Sequence, residues 1–456
     1  MLFSSSVFLF LFLPVTLSVY FFLPFRFRNF YLLLASLFFY AWGEPSFLLV
    51  MIGSIVWNYL WGLVIGRVER NGAALFVGIT GDLLLLFCFK YLNFSVSVVS
   101  QLMQFLGGPP WEIRHVFLPI GISFFTFQSI SYLVDVYRDR NLCRNNFFDV
   151  ALYISLFPQL IAGPIVRYNT ICGELDCRRS GLGEVADGLQ RFIYGFAVKM
   201  LLANPAGSIA DAVFGISPEQ LSPHQAWAGI IAYSLQIYFD FSGYSSMAVG
   251  LGQILGFHFP ENFNFPYIAD SISDFWRRWH ISLSAWFRDY VYIPLGGSRV
   301  SEQRTALNLL TVFILTGIWH GAAWTFLIWG LWYGFLLTVE KFIFRDRLPS
   351  WLMRIWTLAA VVNGWVFFRS DSLQYAFEYL RAMYFCHGTA SGMLVMELTG
   401  YRWILVIAAG ILLSLPWAGK VRKDRFFGRI LSIFLLVLAI SALVKGTYNP
   451  FLYFRF

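Results

Sequence analysis

Long apolar stretches separated by short polar connections run along almost the whole chain. A membrane-spanning helix needs about 20 predominantly apolar residues. Twelve segments have the length or composition of helices that cross or partly enter a membrane: 2–24, 30–42, 46–66, 73–92, 116–136, 148–166, 189–203, 225–255, 305–339, 351–368, 403–418 and 430–446. We therefore predict about 11–12 transmembrane helices, with some segments short, re-entrant or interfacial.

The composition excludes most other protein classes. Of 456 residues, 58% are hydrophobic, 20% are aromatic and only 13% are charged, whereas a soluble domain carries about 25% charged residues. A soluble enzyme, a disordered chain and a small disulfide scaffold are excluded. So is an outer-membrane barrel, whose strands alternate apolar and polar residues. The predicted class is an all-α polytopic membrane protein in which residues 1–456 form one membrane domain.

Basic residues concentrate in the short connections and predict the orientation of the chain. The formal net charge is +8, and positive residues mark cytoplasmic loops. This rule places the N-terminus and the tail 447–456 on the outer side. Because the basic residues lie in short loops, where they determine topology, nucleic acid is not an expected partner. Five cysteines without neighbouring histidines predict no metal site. The basic residues in these connections are Arg26, Arg28, Arg67, Arg70, Arg138, Arg140, Arg144, Lys420, Arg422, Lys423, Arg425 and Arg429.

The segment 305–339 contains no Asp, Glu, Lys or Arg. One straight helix of that length would extend about 52 Å, against a hydrocarbon core of about 30 Å. We predict a break near Gly317 and Gly321, the natural places for one. His320 lies between these glycines. It is either a structural histidine bonded to a neighbouring helix or a neutral imidazole that acts as a general base.

A second polar region, 274–299, is rich in Trp and Arg. Ser273 can cap a helix in which Asp274 and Arg278 form an i,i+4 pair. Helical spacing puts Trp276, His280 and Leu283 on one face, as in an interfacial amphipathic helix. His280 thus shares the apolar face and not the charged one.

A third polar region surrounds Asp240 within segment 225–255. A carboxylate inside a membrane needs a partner, and Arg277, Arg278 or a histidine are candidates. A structural ion pair and a catalytic role both remain open for Asp240.

Taken together, these regions resemble the membrane-bound O-acyltransferase (MBOAT) family, and within it members that serve O-acetylation of alginate. The resemblance extends over almost the whole chain, and its motifs occur in a specific order. The motifs are FPQLIAGPI (157–165), YFDFSGY (238–244), PENFNFP (260–266), FWRRWHISLS (275–284), YIPLGG (292–297), WHGA (319–322), FFRS (367–370) and FLYFRF (451–456).

The resemblance implies a helical bundle around a central tunnel, with a catalytic core at about 150–340 and a multi-pass location in the bacterial cytoplasmic membrane. It places the essential histidine at His320 and a second polar catalytic residue at His280. Asp240, Trp319 and Asp289 are expected to support the site. Arg277, Arg278 and Arg288 are candidates for binding the donor's phosphates, although lipid headgroups would suit them equally.

The implied substrate is an acyl thioester at the cytoplasmic face, either acyl-CoA or an acyl-carrier protein, with no bound cofactor. The resemblance implies that Tyr453 is transiently acylated, and the alternative is an interfacial aromatic anchor. A secreted or membrane-anchored SGNH-type acyltransferase would then pass acetyl to an alginate-like polysaccharide outside the membrane. The alternatives are D-alanyl transfer to teichoic acid, acetylation of peptidoglycan or cellulose, and a non-enzymatic polysaccharide or lipid channel or flippase.

Overall fold

The computed structural model describes residues 1–68, 71–344, 348–385, 402–416 and 425–446, and its regular elements there are helices. The predicted all-α class is confirmed. Several residues used in the sequence analysis lie outside the described ranges, namely Arg70, Lys420, Arg422, Lys423 and the tail 447–456. The orientation inferred from the basic residues stays a prediction.

Two compact units divide the chain: Met1–Ala186 with Leu251–Pro260, and Asp187–Gly250 with the chain from Glu261 onward. The helices of the first are α1 (Leu13–Phe22), α2 (Phe25–Gly43), α3 (Leu48–Arg67), α4 (Gly72–Leu86), α5 (Leu92–Phe105), α6 (Ile122–Arg138), α7 (Phe147–Ser155), α8 (Phe157–Leu160) and α9 (Tyr168–Asp176). Most or all of the following helices belong to the second unit: α10 (Leu182–Val198), α11 (Asn204–Phe214), α12 (Pro223–Ile254), α13 (Ile272–Arg278), α14 (Ile281–Phe287), α15 (Glu302–His320), α16 (Trp324–Val339), α17 (Ser350–Arg369), α18 (Leu373–Tyr384), α19 (Arg402–Leu413) and α20 (Arg425–Lys445).

Six helical runs in the described residues are long and apolar enough to cross a membrane, so the chain is a multi-pass membrane protein. They are Pro45–Arg67, Gly72–Phe105, Leu182–Phe214, Trp324–Phe344, Ser350–Arg369 and Gly428–Lys445. Single π turns join helices within two of these runs, at Phe87–Tyr91 and Lys199–Ala203, and a third π turn, Glu340–Phe344, ends the run that begins at Trp324.

The six runs are fewer than the 11–12 crossings predicted, for two physical reasons. Some apolar segments are interrupted: the one at 148–166 leaves its helix after Ser155, and Pro158 then lies in the four-residue α8. Others are long enough but too polar. The 32-residue helix α12 carries Gln236 and Asp240 in its middle, and these residues lower its hydropathy.

The predicted break in segment 305–339 is confirmed. Helix α15 ends at His320, Gly321 adopts an extended conformation with φ −169° and ψ 157°, and α16 begins at Trp324. The two helices form a tight antiparallel hairpin, since a Cβ atom on Gly317 would lie 2.3 Å from the carbonyl oxygen of Phe326. Gly330 on α16 is equally close to α15, because its Cβ would lie 2.4 Å from the carbonyl oxygen of Phe313.

An aromatic core surrounds this hairpin within the second unit. Trp276 of α13 contacts Trp329 and Tyr333 of α16 edge to face, with ring centroids 5.6 and 4.9 Å apart. Trp279 lies 4.8 Å from Trp365 of α17. Edge-to-face and tilted contacts are favourable arrangements for aromatic quadrupoles, and they fix the positions of α13, α16 and α17 relative to one another.

Candidate active site

His320 is the last residue of α15 and lies inside the aromatic core. Its side chain is buried, and its ring centroid is 5.0 Å from Trp319, 5.1 Å from Trp329 and 5.0 Å from Phe368. The extended Gly321 lets the chain turn immediately after His320 and return as α16. The hairpin therefore places an imidazole among aromatic rings.

His280 lies between the two short helices α13 and α14, and its backbone adopts the left-handed conformation with φ 43° and ψ 54°. The predicted single amphipathic helix through this region is thus wrong, because Trp279 and His280 interrupt it. Trp276, His280 and Leu283 are nevertheless all buried, at 7%, 1% and 2% exposure. The apolar face was therefore predicted correctly, but two helices and a turn form it.

Trp319 brings the two histidines together. Its ring centroid lies 6.1 Å from that of His280 and 5.0 Å from that of His320. Phe241 of α12 also packs against His280, edge to face, with ring centroids 4.6 Å apart. Two candidate catalytic residues from separate motifs therefore flank one buried indole, and we call His280, Trp319 and His320 the histidine pair site.

Burial determines the protonation of His280, which lies outside the six apolar runs. The pKa of its imidazole is lowered to about 3 because the surrounding protein disfavours the charged form. His280 is therefore neutral at physiological pH. A neutral imidazole has one N–H donor and one lone pair, so the hydrogen bonds of its two nitrogens determine what it can do.

Polar contacts from distant parts of the chain hold the segment that carries His280. We call residues 272–289 the His280 segment. The carboxylate of Glu340, buried at the end of α16, accepts hydrogen bonds from the backbone N–H groups of Ile272 and Ser273 at 2.6 and 3.0 Å. Asn262 accepts a hydrogen bond from Nδ1 of His280 at 3.1 Å. Neither residue was predicted as part of the site. Asn262 lies in the motif PENFNFP, whereas no local signal marks Glu340.

The N-terminal cap of α13 is Ser271, and the predicted cap at Ser273 is wrong. The Ser271 hydroxyl accepts a hydrogen bond from the N–H of Asp274 at 3.0 Å. Ser273 already lies within the helix, which begins at Ile272. The predicted pair is present, since Nε of Arg278 lies 2.7 Å from Oδ2 of Asp274.

Asp240 forms a buried ion pair with Lys199, which is not one of the predicted partners. Nζ of Lys199 lies 2.6 Å from Oδ1 of Asp240, and both side chains are at most 3% exposed. Lys199 opens the π turn that joins α10 to α11. A lone lysine within apolar segment 189–203 was itself the missed signal, because an intramembrane charge usually has a partner.

The remaining predicted site residues that the structure describes, Arg277, Arg278, Arg288 and Asp289, lie in the His280 segment and are exposed or half-buried. Arg277 is exposed, while Arg278 is half-buried and pairs with Asp274. Arg288 and Asp289 are neighbours that bond to each other, with Nε and Oδ1 2.7 Å apart. Tyr453 lies outside the described residues. Among the residues that the structure describes, no group of three His, Cys, Asp or Glu side chains is arranged to hold a metal ion.

Comparisons with known proteins agree on one class of membrane enzyme. The model of the family described as "MBOAT, membrane-bound O-acyltransferase family" matches residues 79–370. The protein named "Probable alginate O-acetylase AlgI" from Pseudomonas aeruginosa is 44% identical over 91% of this chain and 81% of its own length. Its namesake from Pseudomonas putida is 40% identical over 100% of both chains. The "Peptidoglycan O-acetyltransferase" of Helicobacter pylori is 37% identical over 86% of this chain and 81% of its own.

Proposed function

Because this chain belongs to the membrane-bound O-acyltransferase family, we propose that it moves an acetyl group across the membrane to modify a polysaccharide outside. The chain is a multi-pass membrane protein and an O-acyltransferase. The observation that carries the proposal is the histidine pair site, where two buried imidazoles flank Trp319. Residues 150–340 form the catalytic core in this proposal.

The chemistry at this site is acyl transfer from a thioester to a hydroxyl group. The hydroxyl oxygen attacks the carbonyl carbon, the carbon–sulfur bond breaks, and the hydroxyl proton finally goes to the departing thiolate. A positioned base that holds this proton contributes about 100- to 10,000-fold to such a reaction. The resemblance gives that role to His320 and leaves His280 to orient it or to stabilise developing charge. Apolar surroundings favour such electrostatic effects, since water competes less.

The donor in this proposal is acetyl-CoA or an acetylated carrier protein that arrives from the cytoplasm. Arg277 and Arg288 are both exposed, and Arg277 is the strongest of the three candidate contacts for its phosphates because the other two arginines have carboxylate partners. The guanidinium groups of Arg278 and Arg288 already bond to the carboxylates of Asp274 and Asp289. Carboxylate neighbours weaken the attraction of these two arginines for a phosphate.

The acceptor pathway leads to the outer side through Tyr453. A phenol with a pKa near 10 is a better leaving group than a sugar hydroxyl, so an acetylated tyrosine can pass its acetyl group onward. An SGNH-type acyltransferase outside the bacterial cytoplasmic membrane would complete transfer to the polysaccharide. The names of the two Pseudomonas relatives support an alginate-like acceptor.

A second acceptor has specific support. The Helicobacter pylori relative is named for O-acetylation of peptidoglycan and aligns with 86% of this chain. Peptidoglycan is therefore the alternative to an alginate-like polymer. The further alternatives are D-alanyl transfer to teichoic acid, acetylation of cellulose, and a channel or flippase. Mass spectrometry of surface polymers distinguishes all of them.

The test is mass spectrometry of surface polymers from a strain in which the chromosomal copy is deleted and variants are supplied in trans. We expect O-acetyl groups on one polymer with the natural protein and at least about a 100-fold loss with His320→Ala. His115→Ala is the matched control, since His115 is exposed and lies outside the histidine pair site. Wild-type acetylation by a folded, inserted His320→Ala protein would refute the proposal and favour a channel or flippase.

Acylation of the tail is tested separately by intact-mass analysis of the purified protein. An acetyl adduct should appear with donor present and disappear in Tyr453→Phe. An adduct that persists in Tyr453→Phe rules out this tyrosine as the carrier.

A further inference from the structure

The hydrogen bonds around Asn262 determine which nitrogen of His280 carries the proton. Asn262 and His280 are 2% and 1% exposed. Nδ1 of His280 lies 3.1 Å from Oδ1 of Asn262. The same oxygen accepts bonds from the backbone N–H of Ser282 at 3.2 Å and from its hydroxyl at 2.9 Å. All three contacts converge on one atom of the amide.

The contact with Ser282 fixes the orientation of the Asn262 amide. A backbone N–H can only donate, so the amide atom that faces it must be the oxygen and not the nitrogen. An amide oxygen can only accept. Nδ1 of His280 must therefore carry a hydrogen, and in a neutral imidazole the lone pair is then on Nε2.

Nε2 of His280 is buried and makes no hydrogen bond with any residue that the structure describes. Most buried side-chain nitrogens in proteins have a hydrogen-bond partner, because an unsatisfied buried polar atom is costly. The lone pair on Nε2 can pair only with a donor. A hydroxyl group satisfies this requirement, whereas a carbonyl oxygen or an oxyanion does not.

We propose that Asn262 is a positioning residue that holds His280 as the Nδ1–H tautomer, so that Nε2 accepts the proton of the hydroxyl group to be acylated. This inference rests on the proposed acyl-transfer function. It gives His280 the proton-accepting role and leaves charge stabilisation to His320, the reverse of the roles that the resemblance suggests. The acceptor class at Nε2 is an alcohol or a phenol.

The proton transfer balances without any further reactant. The hydroxyl proton moves to Nε2 as the oxygen forms its bond to the thioester carbonyl carbon. The imidazolium keeps its Nδ1–H bond to Asn262, whose amide dipole stabilises the positive charge. When the carbon–sulfur bond breaks, the thiolate takes the proton from Nε2, and His280 returns to its starting tautomer.

The backbone at His280 is consistent with a position chosen for its side chain. A φ of 43° is a left-handed conformation that glycine adopts readily and other residues rarely do. Two backbone hydrogen bonds maintain the turn, from Ile281 N–H to the Asn262 carbonyl at 3.0 Å and from Asn264 N–H to the Arg278 carbonyl at 2.9 Å. Strain of this kind persists where the surrounding structure over-determines it, often at functional sites.

The tautomer can be read directly by solid-state NMR of the full-length protein in lipid bilayers with 15N-labelled histidine. The chain has 6 histidines, and His280→Asn identifies the signal by its loss. We expect that signal to show a protonated Nδ1 and an unprotonated Nε2 at pH 7.5. A protonated Nε2 in the natural protein, or an unchanged tautomer in Asn262→Ala, would overturn the proposal.

Two variants separate positioning from folding. Asn262→Asp keeps an acceptor at the same place but adds a negative charge. His280 should therefore be doubly protonated at a pH where the His280 imidazole of the natural protein is neutral. Asn264→Ala is the matched control, because the backbone N–H and carbonyl of Asn264 bond to Arg278 and the substitution keeps both. It should leave the His280 signal unchanged.

Polymer acetylation by Asn262→Asp tests the proton-accepting role. A charged His280 cannot accept a proton, so the acid limb of the pH profile should move upward by at least one pH unit. An unmoved limb, with a charged His280 in the NMR spectrum, would refute proton acceptance at Nε2. If the natural protein acetylates no polymer, the proposed function fails, and the NMR measurement still decides whether Asn262 sets the tautomer.

Discussion

His320 and His280 reach the same tryptophan by different structural means. His320 ends a helix in the α15–α16 hairpin, where glycines allow close backbone packing and aromatic rings surround the imidazole. His280 lies in a left-handed turn that side chains from distant positions hold through hydrogen bonds. Steric fit thus positions one histidine and polar contacts position the other. The two regions should therefore respond to different kinds of substitution.

The largest effect is expected in the hairpin. Gly317→Val would place a Cβ atom 2.3 Å from the carbonyl oxygen of Phe326, and a backbone atom cannot move aside as a flexible side chain can. We expect a destabilisation of about 3 kcal/mol, measured as a lowered midpoint of thermal unfolding in detergent. Gly53→Ala is the control, because a Cβ at Gly53 meets nothing within 4 Å. Normal folding of Gly317→Val would show that the hairpin is not sterically fixed.

Removal of the Glu340 carboxylate should lower stability less than Gly317→Val does. Its effect on activity should exceed its effect on stability. Glu340→Ala leaves the N–H groups of Ile272 and Ser273 without their acceptor, at a cost of about 2 kcal/mol. The His280 segment should shift, so acetylation should fall further than the thermal midpoint suggests. Glu340→Gln keeps one acceptor oxygen and should recover part of both. Equal losses in the two variants would indicate that the charge matters more than the hydrogen bonds.

The pH dependence of stability should distinguish the natural protein from His280→Asn. The folded pKa of His280, about 3, is below its ordinary value of 6.5. Between these values the unfolded chain binds more protons, so stability falls as the pH decreases through this window. His280 contributes a slope of about 1.4 kcal/mol of unfolding free energy per pH unit in this window. The variant His280→Asn should lack this slope. Thermal midpoints of both proteins between pH 6.5 and 5 provide the measurement. Parallel curves of midpoint against pH would contradict the prediction.

The smallest effect on stability is expected at the exposed edge of the His280 segment. Arg277→Ala removes an exposed side chain and should change stability by less than about 0.5 kcal/mol. If Arg277 meets the donor's phosphates, the KM for the thioester should rise several-fold while kcat changes little. An unchanged KM would leave Arg277 as a surface residue that contacts lipid or water.

Much of the hairpin could be predicted from local sequence. An uncharged run longer than a membrane is thick must bend or break, and Gly321 next to His320 supplies the position. The predicted break is present in the structure. The His280 segment was predicted less well because periodicity within 274–299 fits one amphipathic helix. Only the contacts with Glu340 and Asn262 show what holds the interruption of the helix at His280.

The partner of Asp240 shows the same limit. Sequence established that a carboxylate in an apolar helix needs a partner, but it offered Arg277, Arg278 or a histidine. The structure pairs Asp240 with Lys199, 41 positions away in the chain. Ion-pair partners depend on which helices pack together, and helical spacing within one segment does not contain that information.

The amino-acid sequence alone determined that this chain is a helical membrane protein, and its motifs predicted the family and the two histidines. These properties follow from local composition and residue order, since a lipid environment selects apolar helices. Tertiary structure decided the geometry of the site: Trp319 near two imidazoles, Lys199 against Asp240, and the amide of Asn262 on Nδ1 of His280. The physical reason is that hydrogen bonds and ring contacts depend on ångström-scale distances between segments far apart in the chain, which folding alone brings together.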